Sequence, residues 1–378
     1  MNSPICALLG IEFPLLAFSH CRDVVVEVSR AGGMGIFGVA ATTPEELEIE
    51  LAWIDAHIDG KPYGVDLIVP THFVGKGEAS AAEMAVAIPE THRQFVRDLL
   101  ARYGIDSADL TDTVFTQGSA FSENMREEGA LRQLDVAFAH PIGLIANALG
   151  VPPDYMRERS KQEGVPVAAL VGAKEHAIRQ VRAGVDILVA AGGEAGGHCG
   201  EISTLVLVPE VQAAIQPYRD VPILAAGGIV TGRQMAACMA MGAAGAWTGS
   251  VWLTTHEAET SAVVKEKMLA AGARDTVRAK SRTGKYSRQL RSPWTDAWEA
   301  AAAPPPLPMP IQANLVAAAH AKINRLAEVG HPGAQALATY FVGQGVGLMS
   351  TALSAKAVVY EFMTDFLAAT ERLRAFSE

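Results

Sequence analysis

The chain has 378 residues, of which 49% are hydrophobic and 19% are charged, so it can bury the core of a large globular protein. Its net charge of −10 argues against nucleic acid and anionic membrane surfaces as partners, and no apolar run is long enough to span a membrane. The four cysteines form no CxxC pair and no zinc-binding spacing, which predicts reduced thiols in a cytoplasmic protein and no metal site.

Three apolar runs near the start of the chain predict the first strands of a parallel α/β fold. These runs are residues 14–19, 34–40 and 63–69. Helical patterns follow the first two runs, at residues 23–30 and 43–57. After residue 70 the alternation stops, and residues 71–133 are predicted to form a helical insertion or lid.

Five further apolar runs restore the alternation and bring the number of predicted strands to eight. These runs are residues 134–140, 165–171, 185–190, 221–226 and 245–251. The helices predicted between them are residues 142–149, 174–183 and 231–241. Because each run is continuously apolar, we predict strands buried on both faces, in an α/β fold of the (β/α)8 TIM barrel type over residues 1–255. A doubly wound sheet is the alternative.

The composition becomes more helical after the predicted barrel. Residues 256–340 are predicted to form a helical, partly basic cap. Residues 341–378 contain a glycine cluster and are predicted to form a turn and a helix that return to the barrel. The oligomeric state stays open between a monomer and a homodimer.

The segment from residue 185 to 210 places one histidine among closely spaced glycines, directly after a predicted strand. Loops converge on ligands at the carboxyl ends of parallel strands, so His198 is predicted to be an active-site group, with an ordinary loop histidine as the alternative. Glu194 is expected to orient the imidazole and tune its pKa. Cys199 is a less favoured nucleophile, because neighbouring side chains on an extended chain point apart.

Two further turns of small residues follow the last two predicted strands. They are Gly227-Gly228 and Gly249-Ser250. Exposed backbone N–H groups at such turns, with a helix N-terminus behind one of them, bind phosphate well. The last two strands of a (β/α)8 barrel commonly form a phosphate site, so we predict one here, with plain tight turns as the alternative.

Other ionisable residues are weaker candidates for the site. His20 and His140 also follow predicted strands and would then face the same end of the barrel. Arg282, Arg288 and Arg291 lie in a basic segment of an otherwise acidic chain. They are predicted either to bind an anionic part of the substrate or to form a solvated helix face.

Residues 185–211 and 221–253 resemble the nitronate monooxygenase family, formerly called 2-nitropropane dioxygenases, and its flavin-dependent enoyl-thioester reductase relatives. The turn Gly343-Gln344-Gly345 resembles a glycine-glutamine turn that these proteins carry near the C-terminus. The resemblance implies a TIM barrel with non-covalently bound FMN and with His198 as the catalytic histidine. The FMN-binding residues that it implies are Ala17, Phe18, Ser19, Asp66, Gly193, Gly197, Gly227, Gly228, Gly249, Ser250 and Gln344.

The chain also departs from the family pattern. Many members end the first strand in a Met-Gln-Gly-Gly-type turn, where this chain reads LAFS at residues 16–19. Asp66 stands where the family has an asparagine, and Leu170 stands where a lysine is frequent. The loss of a cation near the flavin would disfavour the anionic reduced cofactor, which leaves the exact reaction open.

Three functions follow from this resemblance. The leading expectation is the oxidation of small alkyl nitronates by O₂ to a carbonyl compound and nitrite, with His198 as the base for a neutral nitroalkane or as a hydrogen-bond donor to the nitro oxygens. The first alternative is NAD(P)H-dependent reduction of an enoyl thioester, in which His198 donates a proton. The second alternative is a flavin-binding barrel without catalytic activity.

Overall fold

Eight parallel strands form a closed (β/α)8 barrel in the computed structural model, which describes residues 1–69, 88–116 and 119–376. The barrel strands are β1 (Leu15–Ser19), β2 (Met34–Gly38), β3 (Tyr63–Leu67), β4 (Leu144–Asn147), β5 (Val167–Val171), β6 (Ile187–Ala191), β8 (Ile223–Ala226) and β9 (Gly245–Thr248). Each strand pairs with the next, and β9 closes the barrel on β1 with Ala246 opposite Leu15. The predicted fold class is therefore confirmed. Part of the predicted insertion, residues 71–87 and 117–118, lies outside the described residues.

The strands are apolar on both faces because both faces are buried. On β2, Met34 and Ile36 point into the barrel, while Phe37 packs against the surrounding helices. On β3, Val65 packs outward and Asp66 occupies the alternate face. This two-sided burial explains why the strands read as continuous apolar runs rather than as alternating ones.

Helices surround the barrel and complete the βα units. These helices are α1 (Pro4–Leu9), α2 (Arg22–Arg30), α3 (Pro44–His57), α4 (Glu90–Arg102), α5 (Asp112–Thr116), α6 (Ala120–Asn124), α7 (Glu127–Phe138), α8 (Asp154–Glu163), α9 (Lys174–Ala183), α10 (Thr204–Ile215) and α11 (Gly232–Ala240). Helix α3 begins where the sequence predicts, because Thr43 and Glu46 form a capping box. None of the helices in the described ranges is long and apolar enough to cross a membrane.

The prediction of the fourth strand was wrong. Residues 134–138 are the last turn of α7, and β4 forms where a helix was predicted. The apolar residues Ala130, Leu134 and Ala137 recur at helical spacing, and this face of α7 packs against α3. This stretch is apolar enough for a buried strand as well. The helical spacing of its apolar residues is what indicates a helix.

The region after the barrel combines helices with a β-hairpin. Its helices are α12 (Ala262–Ala270), α13 (Pro293–Glu299), α14 (Ile311–Glu328), α15 (Pro332–Leu337) and α16 (Ala355–Ala375). The hairpin consists of β10 (Thr276–Ala279) and β11 (Ser287–Leu290), and its second strand pairs with the short strand β7 (Gly197–His198). The basic segment is therefore largely a β-sheet. The prediction that it forms a solvated helix face was wrong. Helix α16 packs along α11 and α2, between the last and first βα units.

Candidate active site

His198 lies on β7, at the carboxyl end of the barrel strands, where the hairpin β10–β11 covers it. Its backbone pairs with Ser287 of β11, which fixes the position of the residue from outside the barrel. The imidazole is half-buried, and its Nε2 lies 2.8 Å from the Thr283 hydroxyl. Loss of hydration and, to a smaller extent, the nearby ammonium group of Lys285 together lower the pKa of His198 to about 4. The ring is therefore neutral at neutral pH, and one of its two nitrogens is unprotonated.

Glu194 does not orient this imidazole, contrary to the prediction. Its carboxylate accepts hydrogen bonds from the backbone N–H of Thr204, at 2.9 Å, and from the Thr204 hydroxyl, at 3.1 Å. These contacts satisfy a free N–H group at the start of α10, which attracts a carboxylate strongly. Glu194 is therefore part of the scaffold under the loop, and the partner of His198 comes from the hairpin.

Cys199 follows His198 but faces another environment. Its Sγ lies 3.7 Å from the Gly193 carbonyl oxygen. Burial raises the pKa of this thiol. A thiol that stays protonated is a poor nucleophile, which agrees with its lower ranking in the sequence.

The two turns predicted to bind phosphate lie side by side, after β8 and β9. Gly227 and Gly228 have positive φ angles of 106° and 71°, which glycine adopts without strain. Gly249 leads into a short 3₁₀ helix that begins at Ser250. The backbone N–H groups of Gly228 and Ser250 have no hydrogen-bond partner within the described ranges. Two such donors at adjacent turns form a cradle that suits a phosphate dianion.

The glycine-glutamine turn of the C-terminal region lies directly on these loops. The Gly343 N–H donates to the Ser250 hydroxyl at 2.8 Å, and the Gln344 N–H donates to the Glu194 carbonyl oxygen at 2.9 Å. A Cβ atom on Gly343 would lie 2.6 Å from that same carbonyl oxygen, so a larger residue does not fit. The turn therefore connects the loops after β6 and β9.

The end of β1 contributes mainly one aromatic ring to the barrel mouth. Phe18 stacks on Trp247 with 6.4 Å between ring centroids and meets His20 edge-on at 5.1 Å. Ala17 is buried on the outer face of the strand, toward the helices. The Ser19 hydroxyl accepts from the backbone N–H of Cys21. Of the three predicted residues of β1, Phe18 is the one whose side chain faces the barrel interior.

Asp66 is buried near the carboxyl end of β3 with an exposed fraction of 5%. Its Oδ1 has no hydrogen-bond partner among the residues that the structure describes. Burial raises the pKa of this carboxyl to about 8, so its protonated, neutral form predominates at neutral pH. A buried carboxylic acid with an unused oxygen is a group prepared to hydrogen-bond a ligand.

His140 is far from this end of the barrel, so the prediction that it faces the mouth was wrong. It follows α7 instead of a strand, and its Nδ1 lies 2.6 Å from a carboxylate oxygen of Asp55. The other oxygen of Asp55 accepts from the Tyr63 hydroxyl at 2.7 Å. Tyr63 begins β3, so His140 belongs to the amino end of the barrel.

Two of the three candidate arginines have structural partners of their own. The Arg282 guanidinium lies over the rings of Tyr340 and Phe341, 5.2 and 5.0 Å from their centroids. Arg291 is exposed and donates to the Asp296 carboxylate at 2.8 Å. These contacts place Arg282 against aromatic rings and Arg291 at the surface.

Arg288 holds the loop that carries the catalytic candidate. Its Nε and Nη2 donate to the Gly193 carbonyl oxygen at 2.9 and 2.8 Å, and Nη1 donates to the Thr276 hydroxyl at 3.0 Å. Its backbone pairs with Gly197, which has a positive φ of 71°. The hairpin is therefore attached to the glycine-rich loop through both main chain and side chain. No cluster of three metal-ligating side chains occurs in the described part of the chain.

Comparisons with known proteins identify the family. The model of the nitronate monooxygenase family matches residues 3–365. A relative from Mycobacterium tuberculosis, named "Putative monooxygenase Rv1533", is 52% identical over 371 residues, which cover 97% of each chain. The "Probable nitronate monooxygenase" of Staphylococcus saprophyticus is 27% identical and covers 77% of this chain and 79% of its own.

Solved structures share the same architecture. Nitroalkane oxidase from Streptomyces ansochromogenes superposes with a TM-score of 0.79 at 23% identity, covering 98% of this chain and 99% of its own. FabK from Thermotoga maritima superposes with a TM-score of 0.72 at 26% identity, covering 100% and 99%. The chain therefore belongs to the nitronate monooxygenase family, as its sequence motifs predict, and is an oxidoreductase.

Proposed function

We propose that this protein oxidises small alkyl nitronates with O₂ to a carbonyl compound and nitrite, using FMN bound at the carboxyl end of the barrel. The observation that carries the proposal is His198, a neutral imidazole held by the hairpin at the same end of the barrel as two turns whose Gly228 and Ser250 N–H groups have no partner in the described part of the chain. A neutral base next to a phosphate cradle suits an enzyme that takes a proton from a small carbon acid beside a phosphorylated cofactor. Membership of the nitronate monooxygenase family supports the same reaction.

The residues present suit FMN. The N–H groups of Gly228 and Ser250 would hold its phosphate, since both lack partners in the described residues. The neutral carboxyl of Asp66 would donate a hydrogen bond to a carbonyl or nitrogen acceptor of the ring system. FMN, when bound, would supply the electron transfer between the nitronate and O₂.

His198 acts on the substrate before any electron moves. A neutral nitroalkane must lose a proton from the carbon next to its nitro group, and the unprotonated imidazole nitrogen of His198 takes this proton. The resulting imidazolium remains beside the nitronate anion, and their opposite charges offset part of the desolvation cost of the buried cation. A substrate supplied as the nitronate has already lost this proton and does not need the base.

The variant His198→Asn tests this role. We expect the rate with nitroethane to fall by on the order of 10²-fold or more, because general-base catalysis contributes that much. The rate with ethyl nitronate should be largely retained, and the visible spectrum of bound FMN serves as the control for an intact site. An equal loss with both substrates would remove the assignment of His198 as the base.

The reduction of an enoyl thioester depends on a different observation. For this reaction the basic segment would have to bind an anionic part of the substrate, which is one of its two predicted roles. In the fold, Arg282 contacts aromatic rings, Arg288 binds the Gly193 carbonyl and Arg291 pairs with Asp296. Because each of these arginines already has a protein partner, nitronate oxidation is the function that the geometry supports best.

A further inference from the structure

The Thr283 hydroxyl is the hydrogen-bond partner of His198. Its other hydrogen bonds restrict whether it donates a hydrogen to the imidazole or accepts one from it. Thr283 is 7% exposed. Its Oγ1 lies 2.8 Å from His198 Nε2, 3.2 Å from the Lys285 carbonyl oxygen and 3.4 Å from the Lys285 backbone nitrogen. A hydroxyl has one hydrogen to donate and can accept two hydrogen bonds.

The directions of these three bonds follow from what each neighbour can do. The Lys285 carbonyl oxygen can only accept, and a Thr283 hydroxyl hydrogen directed to it, across 3.2 Å, satisfies this oxygen within the turn. The Lys285 N–H can only donate, so it uses one acceptor position of the hydroxyl. The remaining position faces His198 Nε2, which must then carry a hydrogen to complete the bond.

We propose that Thr283 is a positioning residue that holds neutral His198 in the Nε2–H tautomer and leaves Nδ1 as the nitrogen that accepts the substrate proton. Within the described ranges, Nδ1 of His198 has no hydrogen-bond partner. The catalytic consequence rests on the proposed function, whereas the tautomer itself is a property of the protein alone.

The position of Thr283 is fixed by the turn that contains it and by the pairing of β11 with β7. Gly284 has a positive φ of 85°, and a Cβ atom there would lie 2.1 Å from the Leu307 carbonyl oxygen, so the turn has little freedom to move. The pairing of Ser287 with His198 fixes the register between the hairpin and the loop. The same backbone therefore positions both partners of the hydrogen bond.

This arrangement suits proton transfer because it is unchanged by the reaction. When Nδ1 takes a proton, Nε2 keeps its hydrogen, so the bond to Thr283 is present in both the neutral and the protonated ring. No side chain has to rotate during the transfer. Catalytic groups that are already oriented avoid the free-energy cost of reorganisation in the transition state.

Nitrogen NMR of the protein labelled with ¹⁵N-histidine tests the tautomer directly, with the His198→Asn variant used to assign the signal. In wild-type protein near neutral pH we expect Nε2 of His198 to carry the hydrogen. In Thr283→Val the signal should shift toward a mixture of tautomers, and Thr283→Ser should restore the wild-type pattern. Thr295→Val is the matched control, since it removes a buried hydroxyl that bonds to Ser292 and not to His198.

Kinetics give the second readout. Thr283→Val should lower kcat with nitroethane by roughly tenfold, the effect of one hydrogen bond, and should change the rate with ethyl nitronate much less. Thr283→Ser and Thr295→Val should behave like the wild type.

A wild-type spectrum with the hydrogen on Nδ1 overturns the inference, even if Thr283→Val does not fold. So does a folded Thr283→Val whose tautomer and kcat are unchanged. If the tautomer is Nε2–H but no nitroalkane or nitronate is oxidised, the proposed function fails while the position of the proton stands.

Discussion

The two sides of the barrel mouth differ in how their polar groups are held. On the side of β6, β8 and β9, His198, Glu194 and Ser250 each have a defined partner, supplied by the hairpin, by α10 or by the glycine-glutamine turn. On the side of β1 to β3, Asp66 is buried without a partner for Oδ1 among the described residues. The side chains on the first side thus have protein partners, and only backbone N–H groups, those of Gly228 and Ser250, lack partners there among the described residues. The second side instead has a buried side-chain oxygen without a partner.

The difference shows where a ligand would change the free energy of the protein. Groups that already have partners stabilise the fold and fix the geometry of proton transfer. A buried polar group without a partner costs free energy until a ligand supplies one. Three variants test this comparison.

Gly343→Ala should have the largest effect on cofactor binding, because it affects the contact between the glycine-glutamine turn and Ser250. The added Cβ would lie 2.6 Å from the Glu194 carbonyl oxygen, so the turn must move away from Ser250. We expect the affinity for FMN, measured by fluorescence quenching, to fall by at least about tenfold if the turn supports the phosphate cradle. Gly272→Ala is the control, since its nearest neighbour is an Asp275 oxygen at 3.5 Å. Unchanged affinity in Gly343→Ala would separate the turn from the cofactor site.

Asp66→Asn should change the pH dependence of stability. The pKa of Asp66 is raised to about 8 in the folded protein, so the unfolded chain loses this proton at lower pH than the folded one does. Stability is unaffected by this group below its unfolded pKa, falls as pH rises from about 4 to about 8, and then levels off. Asparagine lacks this titration, so the variant should gain on the order of a few kcal/mol over the wild type across that range.

Urea unfolding of both proteins at pH 5, 7 and 8 measures this gain. The exposed residue Asp220 provides a control, since Asp220→Asn should give a difference that does not grow with pH. A constant difference between Asp66→Asn and wild type would mean that Asp66 is ionised in the fold.

Glu194→Gln should have the smallest effect on the free energy of unfolding. It tests whether Glu194 caps α10 or orients the imidazole of His198. Loss of the charge at the start of α10 should lower the free energy of unfolding by about 1 kcal/mol, as for other helix caps. The dependence of nitroethane oxidation on pH should stay the same, because Glu194 bonds to Thr204 and not to His198. A shifted pH profile with unchanged stability would restore Glu194 as the partner of the imidazole.

Much of the fold could be predicted because the barrel strands are buried on both faces. The runs at residues 63–69 and 185–190 correctly predict β3 and β6, and each observed strand boundary lies within two residues of the predicted one. The fourth strand was missed because the end of the helix α7 contains a run of apolar residues that was interpreted as the strand, so that β4 was assigned to the helix predicted after it. Sequence patterns alone do not separate a short buried strand from a buried helical turn.

The candidate site was only partly predictable for a different reason. The sequence could place His198 and the glycine turns at the carboxyl end of the barrel because they follow predicted strands, and position along the chain is enough for that. The partnership between His198 and Thr283 joins residues 85 positions apart and depends on the register of the hairpin, which no local pattern contains. Asp66, whose Oδ1 has no partner among the described residues, is likewise placed by strands β2 and β4, which pair with it through Gly38 and Ala146.

Anaerobic titration of the FMN-loaded protein with propyl nitronate tests the central claim most directly, because it asks whether the substrate passes electrons to the cofactor. We expect the absorbance of oxidised FMN to fall in wild-type protein and equally in His198→Asn, since a nitronate needs no base, and to return when O₂ is admitted. FMN that binds but keeps its oxidised spectrum at saturating propyl nitronate would contradict nitronate oxidation as the function of this barrel.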